Sequence, residues 1–157
     1  MLTQEHLQDA VDYGRCFIKL GSPASYIPEL ARVNKYQLGA CIVNLDGTVM
    51  ECGDTRTRFT IQSISKLASL ILAISDKGSD YLFHDKVGVE PTGDPFNSIV
   101  KLETKTKPFN PFINAGAITV ADCIEGNSSE EKFERFLSFV RKLCGDEEIS
   151  LTEAVYL

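Results

Sequence analysis

The sequence predicts an α+β fold in a single domain over residues 1–157. Apolar residues recur at helical spacing near both ends of the chain, over residues 3–20 and 128–145. The tripeptide LDG at residues 45–47 lies between two strand-like runs, which is a strong hairpin signal. A length of 157 residues suits one domain with a real core and is too short for two.

The first third of the chain is predicted to hold one long helix and a small antiparallel sheet. Thr3 is a suitable N-cap for the helix, and a single helical turn is expected to begin near Pro28. Residues 36–44 and 48–52 are predicted to form the hairpin. Residues 58–61, which alternate between apolar and polar, are predicted to be a third strand.

The rest of the chain is predicted to be mostly helical. One helix begins at Ser63 and ends at Gly78, and a short helix covers residues 80–85. An ordered, functional loop over residues 86–114 leads into a helix of small residues, and a capping box at Ser128 opens the last helix. The predicted buried stripes of the first and last of these helices are Leu67, Leu70, Ile71 and Ile74, and Phe133, Phe136, Leu137, Val140 and Leu143.

The composition excludes several classes of function. A net charge of −6 and a pI near 4.9 leave no basic face for nucleic-acid binding. No apolar run is long enough to span a membrane, and the polar N-terminal helix does not resemble a secretory signal. The five cysteines are odd in number, widely spaced and without a Cys-x-x-Cys pair, so free thiols in the cytoplasm are expected. His6 and His84 are isolated from other ligands, and no metal site is predicted.

The segment around Ser63 carries the strongest chemical signal. It is expected at a strand-to-helix junction, where its hydroxyl lies beside the unpaired N–H groups and positive end of the helix. Lys66 follows one turn later on the same helix face. An apolar setting favours the neutral amine, which accepts the hydroxyl proton. This arrangement predicts a serine nucleophile with a lysine base.

The Ser-x-x-Lys pattern alone is weak, because it occurs three times. Ser129 and Lys132 open a charged helix, where the serine is most simply a cap. Ser98 and Lys101 lie in a predicted short strand with no special junction. Only Ser63 combines a junction with apolar residues on both sides.

Tyr26 and Asn114 each have a structural interpretation that the residues alone leave open. Tyr26 precedes the predicted turn at Pro28, and a lone tyrosine is commonly a core residue with a hydrogen-bonded hydroxyl. Asn114 stands near the start of the helix of small residues, where asparagine is a favoured N-cap.

Four motifs then occur in one order along the chain. They are SYIPEL at residues 25–30, QSISK at 62–66, VGVEPTG at 87–93 with FN at 96–97, and NPFINAGA at 110–117. Each is weak alone, but four in register are highly specific. Together they resemble the serine-dependent glutaminase family, and the similarity extends through the final EAVYL.

The resemblance implies a β-lactamase-like fold, the fold of serine penicillin-recognising enzymes, in which a helical cluster lies beside an antiparallel sheet flanked by helices. It implies hydrolysis of L-glutamine to L-glutamate and ammonia through a serine acyl-enzyme, with no cofactor. Ser63 matches the nucleophile and Lys66 its proton-transfer partner. Tyr26 matches a pocket tyrosine with a catalytic role, Asn114 matches a substrate-binding asparagine, and Gln62 lies beside the nucleophile in the substrate site.

The resemblance also implies that only the N-terminal portion of a glutaminase-like domain is represented. Members of the family are much longer, and their remaining pocket residues, including a glutamate expected just beyond Leu157, come from the second half. The isolated chain is therefore expected to be impaired in turnover. Its incomplete sheet is expected to favour self-association or a homo-oligomer.

Two alternatives to a glutaminase remain at this point. A β-lactamase or penicillin-binding-like serine hydrolase shares Ser-x-x-Lys but also needs a Lys-Thr-Gly, and Lys105-Thr106-Lys107 lacks the glycine. The other alternative is a non-catalytic fragment that binds a ligand or a complementary chain. Binding of glutamine by the folded chain would help to discriminate between these interpretations.

Overall fold

The computed structural model describes residues 2–93, 95, 97 and 107–156. The chain forms two compact units. The first unit contains Met1–Thr60 together with Leu151–Leu157, and the second contains Ile61–Ser150. This division does not test the prediction of a single domain over residues 1–157, which stays a prediction.

The first unit is built on a helix that packs against a hairpin. Helix α1 (Gln4–Phe17) begins as predicted at Thr3, whose Oγ1 accepts a hydrogen bond from the His6 N–H at 3.3 Å. The His6 ring completes this capping box by accepting from the Thr3 N–H. The buried residues of this core are Leu7, Val11 and Cys52, with Leu38, Ala40, Ile42 and Met50 packed against them.

The predicted hairpin is present, but its first strand is shorter than expected. Strands β1 (Gly39–Val43) and β2 (Val49–Gly53) pair antiparallel, with Cys41 opposite Glu51. Residues 36–38 do not join the strand, because Asp54 and Arg15 bind their backbone. The Leu38 N–H donates to Asp54 Oδ2, and Arg15 Nη2 donates to the Leu38 carbonyl.

The prediction of a third strand at residues 58–61 is wrong. The segment is irregular, and Ile61 already has helical torsion angles, with φ −70° and ψ −15°. Phe59 is 75% exposed, so the short alternation does not mark a buried sheet face. Among the described residues the sheet has two strands. The predicted turn at Pro28 is confirmed as α2 (Pro28–Ala31), which contacts α6 (Glu153–Tyr156) within this unit.

The second unit is helical. Its elements are a 3₁₀ turn at Gln62–Ile64, α3 at Ser65–Lys77, a π-helix at Tyr81–Lys86, α4 at Asn114–Asp122 and α5 at Ser129–Cys144. Both predicted stops are confirmed, since Gly78 (φ 82°) follows α3 and Gly145 (φ 65°, left-handed) follows α5. Ser128 caps α5, since its Oγ accepts from the Glu131 N–H at 3.2 Å, but the predicted capping box is only half formed because Glu131 Oε2 accepts from the Asn127 N–H. The predicted strand around Ser98 lies outside the described residues.

Helix α3 is the centre of this unit, since it contacts the 3₁₀ turn, the π-helix, α4 and α5. The predicted stripe on α3 is wrong in part, because Leu67 is 53% exposed and Ile71 is 41% exposed. The buried face is rotated to include Ala68, Leu72 and Ala73. On α5, Leu143 is exposed rather than buried. The buried core consists of Leu70, Leu72, Ala73, Leu82, Val87, Val120, Cys123 and Ile124, with Ile74, Phe83, Phe136 and Phe139 packed against it.

Asp76, near the end of α3, ties this helix to α5. Its side chain is only 2% exposed, and both of its oxygens accept from Arg135, Oδ2 from Nε at 3.1 Å and Oδ1 from Nη2. Oδ2 also accepts from the Glu125 N–H at 3.0 Å. The hydrogen bond from Arg135 holds the pKa of Asp76 below its ordinary value. A bidentate pair of this kind fixes the angle between the two helices.

We predict that Asp76→Asn destabilises the chain by about 1.5–3 kcal/mol, the range for hydrogen bonds to charged groups. Because the folded-state pKa of Asp76 is lowered, its contribution is complete above the ordinary carboxyl pKa of about 4 and is lost as the pH falls through the lowered value. Urea unfolding at neutral and acid pH measures both effects.

The matched control for this prediction is Asp122→Asn. Asp122 also pairs with a cation, Lys132 Nζ at 2.8 Å, but its side chain is 83% exposed. Such surface pairs contribute about 0–1 kcal/mol. Equal losses of unfolding free energy in the two variants would contradict a special role for Asp76.

Candidate active site

Ser63 lies in the 3₁₀ turn that leads directly into α3. The Ile64 N–H donates to the Ile61 carbonyl at 2.9 Å, and the Ser65 N–H donates to the carbonyls of Gln62 and Ser63. Ser63 is exposed and stands one turn before Lys66. The predicted junction is therefore present, but an irregular segment precedes it in place of a strand.

The residue before Ser63 has an unusual backbone. Gln62 has φ 42°, and it is the only residue other than glycine with a positive φ in the described part of the chain. A left-handed conformation costs a residue with a Cβ atom about 1–2 kcal/mol. Ser65 Oγ donates to the Gln62 carbonyl at 2.7 Å and helps to hold this conformation. Strain of this kind clusters at functional sites, and the sequence carries no signal that could have revealed it.

Lys66 joins two parts of the second unit that are far apart in sequence. Its Nζ donates to the Phe112 carbonyl at 3.0 Å and to Asn114 Oδ1 at 2.7 Å. The amine is half-buried and bound to oxygens, so the apolar setting predicted for it is wrong.

Asn114 is the first residue of α4 rather than its cap. The N-cap position belongs to Ile113, and no side chain caps this helix. The interpretation of Asn114 as an N-cap is therefore wrong, and its Oδ1 binds Lys66 instead. The small residues of α4 matter because a Cβ on Gly116 would lie 1.8 Å from the Asn110 carbonyl oxygen. Only glycine permits this approach of the preceding loop to the helix.

Ser63, Gln62, Lys66 and Asn114 thus belong to one compact unit. Tyr26 belongs to the first unit, just before α2. It is 76% exposed, so its interpretation as a core tyrosine is wrong. Its part in the site stays a prediction.

Other nucleophiles and metal ligands give no competing site within the described residues. No three or more His, Cys, Asp or Glu side chains form a group that could hold a metal ion there. All five cysteines are free thiols, and burial raises the pKa of the Cys123 thiol, which makes it a poor nucleophile. No helix in that part of the chain is long and apolar enough to cross a bilayer.

Comparison with known proteins gives a consistent result. The glutaminase family model matches residues 21–157. Glutaminase 2 of Clostridium perfringens is 54% identical over 153 residues, which cover 96% of this chain and 50% of the relative. The chain spans about half the length of the curated relatives it matches.

Solved structures agree with this match. The probable glutaminase ybaS is similar with a TM-score of 0.84 and 39% identity, covering 97% of this chain and 50% of the other. The Bacillus subtilis glutaminase YbgJ, in a covalent complex with 5-oxo-L-norleucine formed by reaction with 6-diazo-5-oxo-L-norleucine, has a TM-score of 0.79 and 38% identity. That match covers 98% of this chain and 46% of YbgJ. These neighbours have the β-lactamase-like fold that the resemblance implied. The chain belongs to the glutaminase family.

Proposed function

We propose that this chain supplies the nucleophile and base of a glutaminase, which hydrolyses L-glutamine to L-glutamate and ammonia. The observation that carries the proposal is the set of contacts at Lys66. Its amine binds Asn114 and stands one turn after Ser63, in a chain of the glutaminase family. A β-lactamase-like or penicillin-binding activity has no comparable support.

In the first half of the reaction, Ser63 Oγ attacks the side-chain amide carbon of glutamine. Lys66 takes the hydroxyl proton, and the tetrahedral oxyanion is stabilised by N–H donors that include the Ser63 N–H. The C–N bond then breaks, and the proton returns from Lys66 to the leaving nitrogen, so that ammonia and a glutamyl ester of Ser63 are formed.

In the second half, water attacks the ester carbon and gives up a proton to the same base. The C–O bond to Ser63 breaks, glutamate leaves, and the proton returns to Ser63 Oγ. No cofactor or metal is required by this sequence of steps. Asn114 is assigned to substrate binding, Gln62 to the wall beside the nucleophile, and Tyr26 to the pocket and to proton transfer.

We propose the cellular compartment from the cysteines and the tendency to self-associate from the sheet. Five free thiols fit the reducing cytoplasm. Each strand of the described sheet pairs with one other strand, and such edges favour self-association or a homo-oligomer.

The first prediction from this function concerns Ser63. Incubation of an active, assembled form with 6-diazo-5-oxo-L-norleucine should label this chain on Ser63, because the reagent mimics glutamine and reacts with an activated nucleophile. Peptide mass spectrometry locates the label, and Ser63→Ala should abolish it while Ser65→Ala should not. A label that persists unchanged in Ser63→Ala would remove the assignment.

The second prediction concerns Asn114. Asn114→Asp keeps the oxygen that accepts from Lys66 but replaces the amide donor with a negative charge. Turnover of glutamine in the assembled enzyme should fall at least about tenfold, equivalent to about 1.4 kcal/mol in the transition state. Asn34→Asp is the matched control, because Asn34 Oδ1 likewise accepts a hydrogen bond, from the Tyr36 N–H. Activity that follows only the melting temperature across both variants would refute a substrate contact.

The third prediction is that the 157-residue chain alone turns over glutamine poorly. The residues assigned here supply one oxyanion donor, and loss of a second donor costs about 10²–10³ in rate in other enzymes. Ammonia release is measured for the chain alone and after assembly with the unmatched half of the Clostridium perfringens relative. Full activity of the isolated chain would contradict this prediction. Failure of the assembled form to release ammonia would favour the non-catalytic alternative.

A further inference from the structure

We propose that Asn110 is a positioning residue for the glutaminase reaction, because its side chain sets the place of both oxygens that bind Lys66. This inference deepens the proposed function and rests on it, since it takes Lys66 as the proton-transfer group.

The side chain of Asn110 organises the loop before α4. Its Oδ1 accepts from the Phe112 N–H at 3.0 Å and from the Ile113 N–H at 3.2 Å. Its Nδ2 donates to the Glu90 carbonyl at 2.9 Å. One half-buried amide therefore holds three backbone groups from two separate segments of the chain.

One of the two peptide units that Asn110 binds carries an acceptor of Lys66, because the Ile113 N–H and the Phe112 carbonyl belong to the same peptide unit. Phe112 supplies its carbonyl, at 3.0 Å from Lys66 Nζ, and Ile113 directly precedes Asn114, whose Oδ1 lies at 2.7 Å. Because the side chain of Asn110 fixes the N–H groups of both Phe112 and Ile113, it orients the Phe112 carbonyl directly and fixes the backbone that leads into Asn114. Lys66 itself has a flexible stem of four methylene groups, so fixed acceptors are needed to hold the amine in one place.

The backbone of Asn110 is held independently of its side chain. Gly116 allows the Asn110 carbonyl to lie against α4, and the buried Pro111 follows it. The Glu90 N–H donates to the Phe109 carbonyl at 3.0 Å, just before Asn110. Loss of the side chain therefore leaves the loop anchored at its base but frees the peptide units next to Lys66.

A chemical reagent can test this without any turnover. The full 157-residue chain is treated with an acetylating N-hydroxysuccinimide ester, and peptide mass spectrometry gives the rate at Lys66 relative to the exposed Lys142. Asn110→Ala should raise the Lys66 rate at least about fivefold, the scale of one lost hydrogen bond. Asn110→Asp keeps Oδ1 and loses only the donor to Glu90, so its rate should stay closer to the wild type than to Asn110→Ala. If Asn110→Ala is unfolded by circular dichroism, Asn110→Leu, of similar size and branching, repeats the test.

Lys107→Met is the matched control. Lys107 anchors the same loop by donating to the Phe83 and His84 carbonyls at 3.0 and 2.7 Å, and neither of these hydrogen bonds is to Asn110 or Lys66. It should leave the Lys66 rate unchanged even where it lowers the melting temperature. The proposal is overturned if Asn110→Ala leaves the Lys66 rate at its wild-type value, or if Lys107→Met raises it equally.

Turnover by the assembled enzyme separates this inference from the proposed function. Asn110→Ala should lower kcat/KM at least about tenfold, and Asn110→Asp should recover most of it. If Asn110→Ala labels faster at Lys66 but the wild-type assembly releases no ammonia, the glutaminase reaction is refuted and the positioning of Lys66 by Asn110 stands. A normal kcat/KM in Asn110→Ala, in an active assembly, would overturn the positioning role.

Discussion

Lys66 Nζ reaches across the second unit to two oxygens that come 46 and 48 residues later in the chain, those of Phe112 and Asn114. One end of this contact is the helix that follows Ser63, and the other is the start of α4. The chemistry therefore depends on how accurately a loop is placed against a helix. Asn110 and Gly116 both contribute to that placement, one through its amide and the other through its missing side chain.

The two described ends of the connection before α4 are held together by backbone contacts. The Gly88 N–H donates to the Pro108 carbonyl at 2.8 Å, and a Cβ on Gly88 would lie only 2.5 Å from the Phe109 carbonyl oxygen. Val87 beside it is completely buried in the core of the second unit. The two described ends of this connection are thus packed against each other, which helps to hold the acceptors of Lys66 at fixed positions.

Sequence reasoning succeeded where a short-range interaction decides the structure. Thr3, Ser128, Gly78 and Gly145 bound their helices as predicted, because capping depends on a few neighbouring residues. It failed where distant packing decides. The alternation at residues 58–61 is too short to specify a strand, and the buried face of α3 is set by α4 and α5, which the periodicity of α3 alone cannot reveal.

The residues of the candidate site likewise separate into those that the sequence could predict and those that depend on tertiary structure. The prediction of Ser63 and Lys66 came from their spacing, and that of Asn114 came from the family motifs, but the contact of Asn114 with Lys66 depends on tertiary structure. The conformation of Gln62 has no sequence signature at all, since glutamine is not a residue that favours positive φ.

Helix α3 makes a different contact at its beginning, in its middle and near its end. Lys66 at its beginning meets the loop, its middle is buried against α4 and α5, and Asp76 near its end is clamped by Arg135. A helix fixed at three points along its length transmits little movement to its first turn. The turn at Gln62 and the amine of Lys66 therefore lie at the beginning of a helix that packs against α4, α5 and the π-helix, which is the rigid support that the proposed nucleophile and base require.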